Sequence, residues 1–328
     1  MYDRKLPGLL RAIDDEEMRI TLSESLGYGS KSGRSTLTQV RHQVLKHTLG
    51  KRCVIEYWLE SNGDYSSARR VIGKLYRKNR GERIFKNLQN LWYAAHSNDQ
   101  KGTFFGMPEP LAYLPELGMV LQNVVPGRQL SSFSVSDDLP SAIRYVVHNL
   151  AVLHGLAVSA GEKKTLDDHI KKYCHPGPEA LIEACPELAP LVESILNGLA
   201  RDESLHSAPV CPVHGDLGLA QIFIADDRAF FIDFDGFCLS HAALDIGNFW
   251  AAVKVYFGPR SDELATLFLE TYLESQSPEM LAGLRTYQAF AYLRRAMICF
   301  RLKTGEEWRQ EVQQLLENGN ALPRQPSE

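Results

Sequence analysis

Two aspartates in one mostly apolar stretch are the residues whose spacing could support chemistry. The stretch is VCPVHGDLGLAQIFIADDRAFFIDFDGF, residues 210–237, and Asp216 and Asp233 lie on either side of a predicted hairpin. A carboxylate on a rigid turn can accept a proton from a hydroxyl group. A second carboxylate, at the end of a strand, can bind a divalent metal while a nearby amide oxygen completes the ligand shell. Phosphoryl transfer requires these groups: an oriented hydroxyl, a bound metal and neutralised phosphate charge.

This stretch resembles the catalytic region of the aminoglycoside phosphotransferase family, which shares the protein-kinase-like fold and includes choline, homoserine and fructosamine kinases. The family carries His-Gly-Asp and, further on, Ile-Asp; here the first motif ends at Asp216 and the second, seventeen residues later, at Asp233. The resemblance implies that Asp216 is the catalytic base and Asp233 the principal magnesium ligand, with Asp235 in support. It also implies ATP and Mg²⁺ as cofactors and a hydroxyl group of a small molecule as the acceptor.

The chain departs from the family at the second metal ligand, which is usually an Asn five residues after the catalytic Asp. Gln221 stands there, at the end of LGLAQ (217–221), where the family tends to LHPGN. Glutamine keeps the amide oxygen but is one methylene longer, so Gln221 is the predicted second ligand on a shifted loop. By the same resemblance, His214 holds the loop, and Asp245, in LSHAALDIGNF (239–249), braces it.

Contacts to the nucleotide are expected in the first half of the chain, from the order of the family's elements. Lys74, in RRVIGKLY, resembles the strand lysine that contacts the α- and β-phosphates. Glu82 is its predicted carboxylate partner on the next helix, although an acid near a helix start can instead serve as a cap. The backbones of Gln122 and Val124 are expected to bond the adenine. The phosphate loop would fall at KHTLGKR (46–52), which has a single glycine.

The elements that must position these residues are predicted to be a small sheet followed by helices. Alternating, β-branched and aromatic residues predict strands, and apolar residues at helical spacing predict helices. Strands are predicted at 38–47, 52–59 and 69–76, as a pair within 111–125 and as a pair within 221–235; helices are predicted at 81–96, 141–159, about 178–200 and beyond Ala242. We therefore predict an α+β, two-lobed protein-kinase-like fold, with a small antiparallel-sheet N-lobe and a larger helical C-lobe.

The chain is predicted to have three segments. Residues 1–36 form an N-terminal leader, polar and helical, that ends in a Gly/Ser turn. Residues 37–126 form the N-lobe with the nucleotide-binding sheet, and residues 127–328 form the C-lobe with the catalytic loop and the acceptor pocket. The Pro-Gly pair at 126–127 separates the two lobes.

The formal net charge of −4 is unevenly distributed. Residues 1–127 contain 19 Lys and Arg against 13 Asp and Glu, whereas residues 128–328 contain 17 against 27. A basic half and an acidic half would suit a cleft that holds an anionic cofactor and a metal, but they are equally explained by surface solubility. If the acidic half also lines the acceptor pocket, the acceptor is expected to be neutral or cationic, such as an amino sugar or amino alcohol.

Composition argues against several other classes of protein. The 44% hydrophobic and 23% charged residues are ordinary for a soluble globular protein, and no apolar run approaches the roughly 18 residues of a membrane span. The first residues do not resemble a signal peptide, so we expect a cytoplasmic protein without a membrane partner. The six cysteines form no Cys-x-x-Cys pair, which disfavours a zinc site or a disulfide framework. The basic residues lack interleaved aromatics and the pI is about 6.2, which disfavours a nucleic-acid partner.

Two alternatives share the predicted fold. A protein kinase is disfavoured because the chain lacks Asp-Phe-Gly and Ala-Pro-Glu and has no room for a long activation segment after Asp233. A nucleotide-binding pseudokinase is favoured by Gln221 and by the phosphate loop with its single glycine. Hydrolysis of ATP in the presence of magnesium and candidate alcohols would separate a pseudokinase from a kinase.

Overall fold

Five β-branched and aromatic segments of the first 123 residues form one antiparallel sheet, of order β1-β2-β3-β5-β4. The computed structural model describes residues 2–28, 36–62, 69–77, 80–97, 104–158, 161–303 and 305–322; most of the predicted Gly/Ser turn (27–36) and all of the last five residues lie outside these ranges. The sheet and its flanking helices are β1 (Thr36–Thr48), β2 (Arg52–Asn62), β3 (Arg69–Tyr76), α3 (Arg80–Ser97), β4 (Pro110–Leu114) and β5 (Met119–Asn123), preceded by α1 (Leu9–Ala12) and α2 (Asp15–Leu26). The strands predicted in this half are confirmed.

The two N-terminal helices belong to the core of this sheet. Asp14 caps α2 by accepting hydrogen bonds from the N–H groups of Glu16 and Glu17, and Gly27 ends the helix in the left-handed conformation. Apolar side chains of both helices are buried in one cluster with those of β2 and β5. The Tyr57 hydroxyl donates a 2.7 Å hydrogen bond to the last carbonyl of α1. The described part of residues 1–36 is therefore packed on the sheet.

The chain divides into two units by its internal contacts. The first comprises Met1–Gly102 with Gly106–Pro126, and the second comprises Thr103–Phe105 with Gly127–Glu328. The helices of the second unit are α4 (Leu139–Gly155), α5 (Leu166–Tyr173), α6 (Pro178–Ala184), α7 (Ala189–Ala200), α8 (Ala243–Tyr256), α9 (Ser261–Leu273), α10 (Leu284–Leu302) and α11 (Trp308–Asn320). Its strands are β6 (Arg128–Gln129), β7 (Val210–Val213), β8 (Ile222–Ala225), β9 (Arg228–Phe231) and β10 (Cys238–His241).

The single helical stretch predicted at about 178–200 is wrong, because the structure has two helices there. Helix α6 ends before Cys185, whose backbone is not helical (φ −141°, ψ 74°). Pro186 follows, and a proline disfavours the helical conformation of the residue that precedes it. A 3₁₀ turn then leads into α7.

The hairpin predicted within residues 221–235 is present as β8 and β9. Ala225 pairs with Arg228, which leaves a two-residue turn of Asp226 and Asp227. Both turn residues have positive φ (47° and 58°), as the turns that match the twist of a hairpin require, and aspartate tolerates this conformation. Strands β7 and β10, which precede and follow this hairpin in the chain, form a short antiparallel pair with Val213 opposite Cys238. Sequence patterns did not reveal this pair.

Helices α8 and α10 contribute many buried residues to the second unit. Ten residues of α8, from Ala243 to Val253, are buried, as expected of a helix that is packed on several sides. Helix α10 contacts α7, α8 and α11. Within the ranges that the structure describes, no helix is long and apolar enough to cross a bilayer.

Candidate active site

The turn that carries Asp216 is held by the carboxylate of Asp245. The turn follows β7, and Asp245 lies in the first turn of α8. Asp245 accepts hydrogen bonds from the backbone N–H groups of His214 (2.6 Å) and Gly215 (2.9 Å). Asp245 is fully buried, and hydrogen bonds to a charged group contribute about 1.5–3 kcal/mol each. Asp245 therefore occupies the bracing position that the family resemblance implies.

A buried histidine also contacts Asp245. The Nε2 of His154 lies 3.5 Å from Asp245 Oδ2, and its Nδ1 lies 2.7 Å from the hydroxyl of Tyr272. Burial opposes the ionised form of Asp245, but the hydrogen bond with His154 and that from the backbone amide of His214 outweigh it and lower the pKa of Asp245. His154 is thus a core residue, as predicted, and keeps Asp245 ionised.

His214 uses both ring nitrogens to fix the loop. Its Nε2 donates a 2.8 Å hydrogen bond to the carbonyl of Ile232, because a carbonyl can only accept. Its Nδ1 then accepts the N–H of Asp216, at 3.3 Å. The side chain is completely buried. This arrangement defines the Nε2-protonated neutral tautomer and leaves His214 a positioning role, as predicted.

A glycine brings the Asp216 loop against the segment that follows Asp233. Gly215 has φ +77°, and a Cβ built on it would lie 2.4 Å from the carbonyl oxygen of Gly236. Any side chain at this position would therefore clash with backbone, and the left-handed conformation itself favours glycine. Through this contact, the predicted base Asp216 and the predicted metal ligand Asp233 come from two chain segments that touch.

The hairpin register places Gln221 one residue away from Asp233 along the paired strand. The carbonyl of Gln221 accepts a 2.8 Å hydrogen bond from the N–H of Ile232, so Gln221 lies opposite the residue before Asp233. Asp233 has φ +68°, which ends the strand and turns the chain there. The Oε1 of Gln221 lies 3.1 Å from the position that a Cβ on Gly218 would take.

These donors fit magnesium, on chemical grounds. Magnesium usually binds one or two carboxylates and completes its octahedron with water and substrate phosphates. The chain offers a carboxylate from Asp233, a second from Asp235 and an amide oxygen from Gln221. In the described ranges no group of three His, Cys, Asp or Glu side chains converges on one point, so a cage made of protein ligands alone is not formed there.

Sequence analysis missed Arg294, which contacts the predicted base directly. Its Nη2 donates to Asp216 Oδ1, and its guanidinium lies 4.3 Å from the centre of the Tyr173 ring. Its Nη1 is 3.4 Å from Asn248 Oδ1. The signal that could have found it is the pair Arg294-Arg295 in the otherwise apolar run AFAYLRRAMICF of α10.

The predicted nucleotide contacts lie in the first unit. Lys74 on β3 is opposite Val120, and Gln122 on β5 is opposite Ile72; because paired residues share a face, these four side chains lie on one face of the sheet. Lys74 and Gln122 are buried, and Val124 follows the end of β5. Glu82 is exposed at the start of α3 and forms a 2.8 Å ion pair with Lys86; its pairing with Lys74 stays a prediction.

The turn between β1 and β2, where the phosphate loop was expected, is tied to the N-terminal segment. The N–H of Gly50 donates a 2.7 Å hydrogen bond to the carboxylate of Asp3, which also contacts His47 Nε2 at 2.9 Å and the N–H of Lys5 at 3.0 Å. These hydrogen bonds, that from Gly50 first, lower the pKa of Asp3. In this conformation the amide of the loop's glycine already has an anionic partner.

Comparison with known proteins assigns the chain to a family. The phosphotransferase enzyme family (APH) matches residues 94–290, which is more than half of the 328 residues. The chain belongs to this family. The predicted family resemblance is thus confirmed, and this phosphotransferase is a small-molecule kinase that acts on a hydroxyl group. Curated protein sequences give no match.

Solved structures share the fold of this phosphotransferase at low sequence identity. Choline kinase from Cryptosporidium parvum is 14% identical, with a TM-score of 0.59 over 93% of this chain and 94% of that one. Choline kinase LicA from Streptococcus pneumoniae is 15% identical, with a TM-score of 0.57 over 93% and 99%. ADP-bound aminoglycoside phosphotransferase APH(2'')-Ib is 14% identical, with a TM-score of 0.55 over 90% and 96%. These likenesses confirm the predicted α+β, protein-kinase-like fold class.

Proposed function

We propose that this phosphotransferase transfers the γ-phosphoryl group of ATP, with Mg²⁺, to a hydroxyl group of a small molecule, and that Asp216 is the general base. The observation that carries the proposal is the geometry of the Asp216 loop. Its backbone is fixed by Asp245 and His214, and it touches the segment that bears Asp233. A carboxylate held in this way is oriented to accept the proton of an acceptor hydroxyl as that oxygen attacks phosphorus.

We propose Asp233 and Gln221 as the magnesium ligands, with Asp235 in support. Magnesium supplies charge neutralisation between the phosphates of the nucleotide. The backbone pairing of Gln221 with Ile232, the residue before Asp233, supports this assignment. Gln221→Asn should then preserve or raise turnover, because the amide oxygen is retained in the family's usual residue, whereas Gln221→Ala should lower it. Equal turnover for all three proteins would show that the side chain at this position takes no part.

We propose that residues 37–126 bind the nucleotide and that residues 127–328 hold the base, the metal ligands and the acceptor. Lys74 would contact the α- and β-phosphates, and the backbones of Gln122 and Val124 would bond the adenine. Support comes from the shared sheet face of Lys74 and Gln122 and from the burial of both side chains.

The acidic composition of residues 128–328 suggests a cationic acceptor only if the acids are available to it. Asp168 is hydrogen-bonded to Thr165 within its own helix cap. Asp262 is paired with Lys254, and Glu263 with Arg260. These three acids have partners of their own, so they give no support for a cationic acceptor. The side chains that surround Asp216 bear more directly on the charge of the acceptor.

The test of the proposed function is ATP consumption and product formation across a panel of alcohols, repeated with Asp216→Ala. Loss of a general base commonly reduces turnover by about 10²–10⁴-fold, while the affinity for ATP should change little because Asp216 acts on the acceptor. Asp262→Ala, on an exposed helix start, is the matched control and should retain wild-type turnover. If Asp216→Ala turns over as the wild type does, Asp216 is not the base. Binding of ATP without transfer to any alcohol would favour the pseudokinase.

A further inference from the structure

Two consecutive arginines of α10 contact Asn248, and the first of them, Arg294, also contacts the proposed base. Arg294 donates from Nη2 to Asp216 Oδ1 and packs against the Tyr173 ring, as described above. Arg295 donates from Nη2 to the backbone carbonyl of Asn248, at 3.2 Å. The side chains of Arg294 and Asp216 are 14% and 38% exposed, so a small molecule can reach the pair from solvent.

The positive charge of the two arginines exceeds the negative charge in contact with them. Among the described residues, the two guanidiniums make one ion pair, that of Arg294 with Asp216. The carboxylates of Asp233 and Asp235 are assigned to the metal. Burial, and next the adjacent charge of Arg294, lower the pKa of Arg295 to about 10. A second anion beside the pair would relieve both effects, because an unpaired buried charge is unfavourable.

The polar atoms around the pair also lack partners. Within the described ranges, four buried atoms have no hydrogen-bond partner here: the Tyr173 hydroxyl, Asn248 Nδ2, Arg294 Nε and Arg295 Nε. The three nitrogens can only donate, and the tyrosine hydroxyl can donate. Buried donors without partners are rare in folded proteins and call for an explanation. A ligand group with several acceptor oxygens would satisfy them.

We propose that Arg294 and Arg295, with Tyr173 and Asn248, bind an anionic group of the acceptor, so that the substrate is a hydroxyl compound that carries a carboxylate or a phosphate. The inference rests on the proposed function, since it takes Asp216 as the base. A general base must come within about 3 Å of the hydroxyl it deprotonates, so the acceptor must lie against the arginine that contacts the same carboxylate. A cationic acceptor would be placed against two positive charges, whereas a carboxylate or phosphate matches the guanidinium fork.

The first experiment measures anion binding without turnover. Malonate and inorganic phosphate are titrated into the nucleotide-free full-length protein by calorimetry, at constant ionic strength. We expect Arg294→Gln and Arg295→Gln to weaken binding by about 10- to 100-fold. This is the change in affinity that the loss of one or two charge-assisted hydrogen bonds produces. Arg301→Gln, an exposed arginine of the same helix, should change it less than about twofold.

Two further variants separate this site from the alternatives. Arg294→Lys keeps the charge but not the planar fork, so its affinity for malonate should lie between those of the wild type and Arg294→Gln. Lys74→Met removes the proposed nucleotide-phosphate contact and should leave malonate binding intact. Anion binding that is lost in Lys74→Met but kept in both Gln variants, or a wild type that binds neither anion, would overturn the proposal.

The second experiment uses wild-type protein alone, so it is independent of whether the variants fold. ATP-dependent phosphorylation is compared within matched sets that differ in charge: gluconate, glucose and glucosamine, and glycerate, glycerol and 3-amino-1,2-propanediol. The anionic member should have the highest kcat/KM of its set. Preference for a cationic member overturns the inference while leaving the proposed kinase function intact. Arginine-dependent malonate binding without phosphorylation of any compound would support the anion site and count against the kinase function.

Discussion

The replacement Asp245→Asn tests whether the buried carboxylate fixes the active-site loop. The two side chains have the same shape, but asparagine has one acceptor oxygen in place of two. If its oxygen takes the place of Oδ1, its NH₂ faces the N–H of His214 and the Nε2 of His154; in the other orientation it faces the N–H of Gly215. In either orientation at least one hydrogen bond is lost. The NH₂ group of the asparagine then faces a backbone N–H, so two donors meet without an acceptor in a fully buried site.

The expected loss of stability is the difference between the lost hydrogen bonding and the relief from removing a buried charge. The lost charge-assisted hydrogen bond and the unsatisfied donor together cost about 2–5 kcal/mol, and removal of a buried charge would offset part of this. The lowered pKa of Asp245 shows that its hydrogen bonds outweigh the effect of burial, so the sum remains destabilising. For a unit of about 200 residues, 1 kcal/mol corresponds to about 2–4 °C in Tm, which gives a decrease of roughly 5–20 °C.

Thermal unfolding at pH 7, followed by near-ultraviolet circular dichroism, measures the decrease in Tm. The stabilisation by Asp245 is present above its ordinary pKa of 3.8 and is lost as pH falls through its lower folded pKa, so the difference between wild type and variant should persist down to that pH. Asp262→Asn, an exposed ion-pair partner, should change the free energy of unfolding by less than about 1 kcal/mol. A Tm for Asp245→Asn within about 2 °C of the wild type would refute the bracing role.

Three other predictions address the metal, the loop backbone and pH. Asp233→Asn should weaken magnesium-dependent nucleotide binding by about tenfold or more and leave magnesium-free binding unchanged; equal titrations with and without magnesium would move the metal site elsewhere. Gly215→Ala should destabilise the protein by about 2–4 kcal/mol in urea unfolding, because its Cβ would meet the carbonyl of Gly236, whereas Gly198→Ala, with open space around its Cβ position, should be neutral or stabilising by up to about 1 kcal/mol. Burial above all lowers the pKa of His169 from 6.5 to about 4; its neutral form is therefore favoured by folding, and stability should fall by up to about 3 kcal/mol as pH drops from 6.5 to 4. His169→Gln should remove this part of the pH dependence between pH 7 and pH 5, and an unchanged dependence would contradict the assignment.

The sheet and the hairpin could be predicted because their sequences alternate and because their turns are marked by residue type. The first three strands alternate or carry β-branched and aromatic residues, and the two-residue turn of the hairpin carries two aspartates. The four-residue strands β7 and β10 are too short for such a pattern. The break at Pro186 could have been predicted from the proline itself.

The site could be predicted only where its residues are close in sequence. Asp216, Gln221 and Asp233 lie within eighteen positions, so a motif and one hairpin define their arrangement. Arg294 contacts Asp216 from 78 positions further along; the arginine pair in the apolar run of α10 marks the position but does not indicate its partner. The N-terminal residue Asp3 reaches Gly50 in the same way, across 47 positions. Such contacts depend on how the elements pack, which local periodicity does not encode.

The backbone amides of His214, Gly215 and Asp216 are consecutive and lie outside any helix or strand, yet each donates to a buried side chain. In hydrogen–deuterium exchange they should therefore behave like amides of the core and exchange only through larger opening events. A loop that is already ordered loses little conformational entropy when a ligand binds. The affinity of this enzyme for its acceptor is then not reduced by the need to order the loop that carries the proposed base.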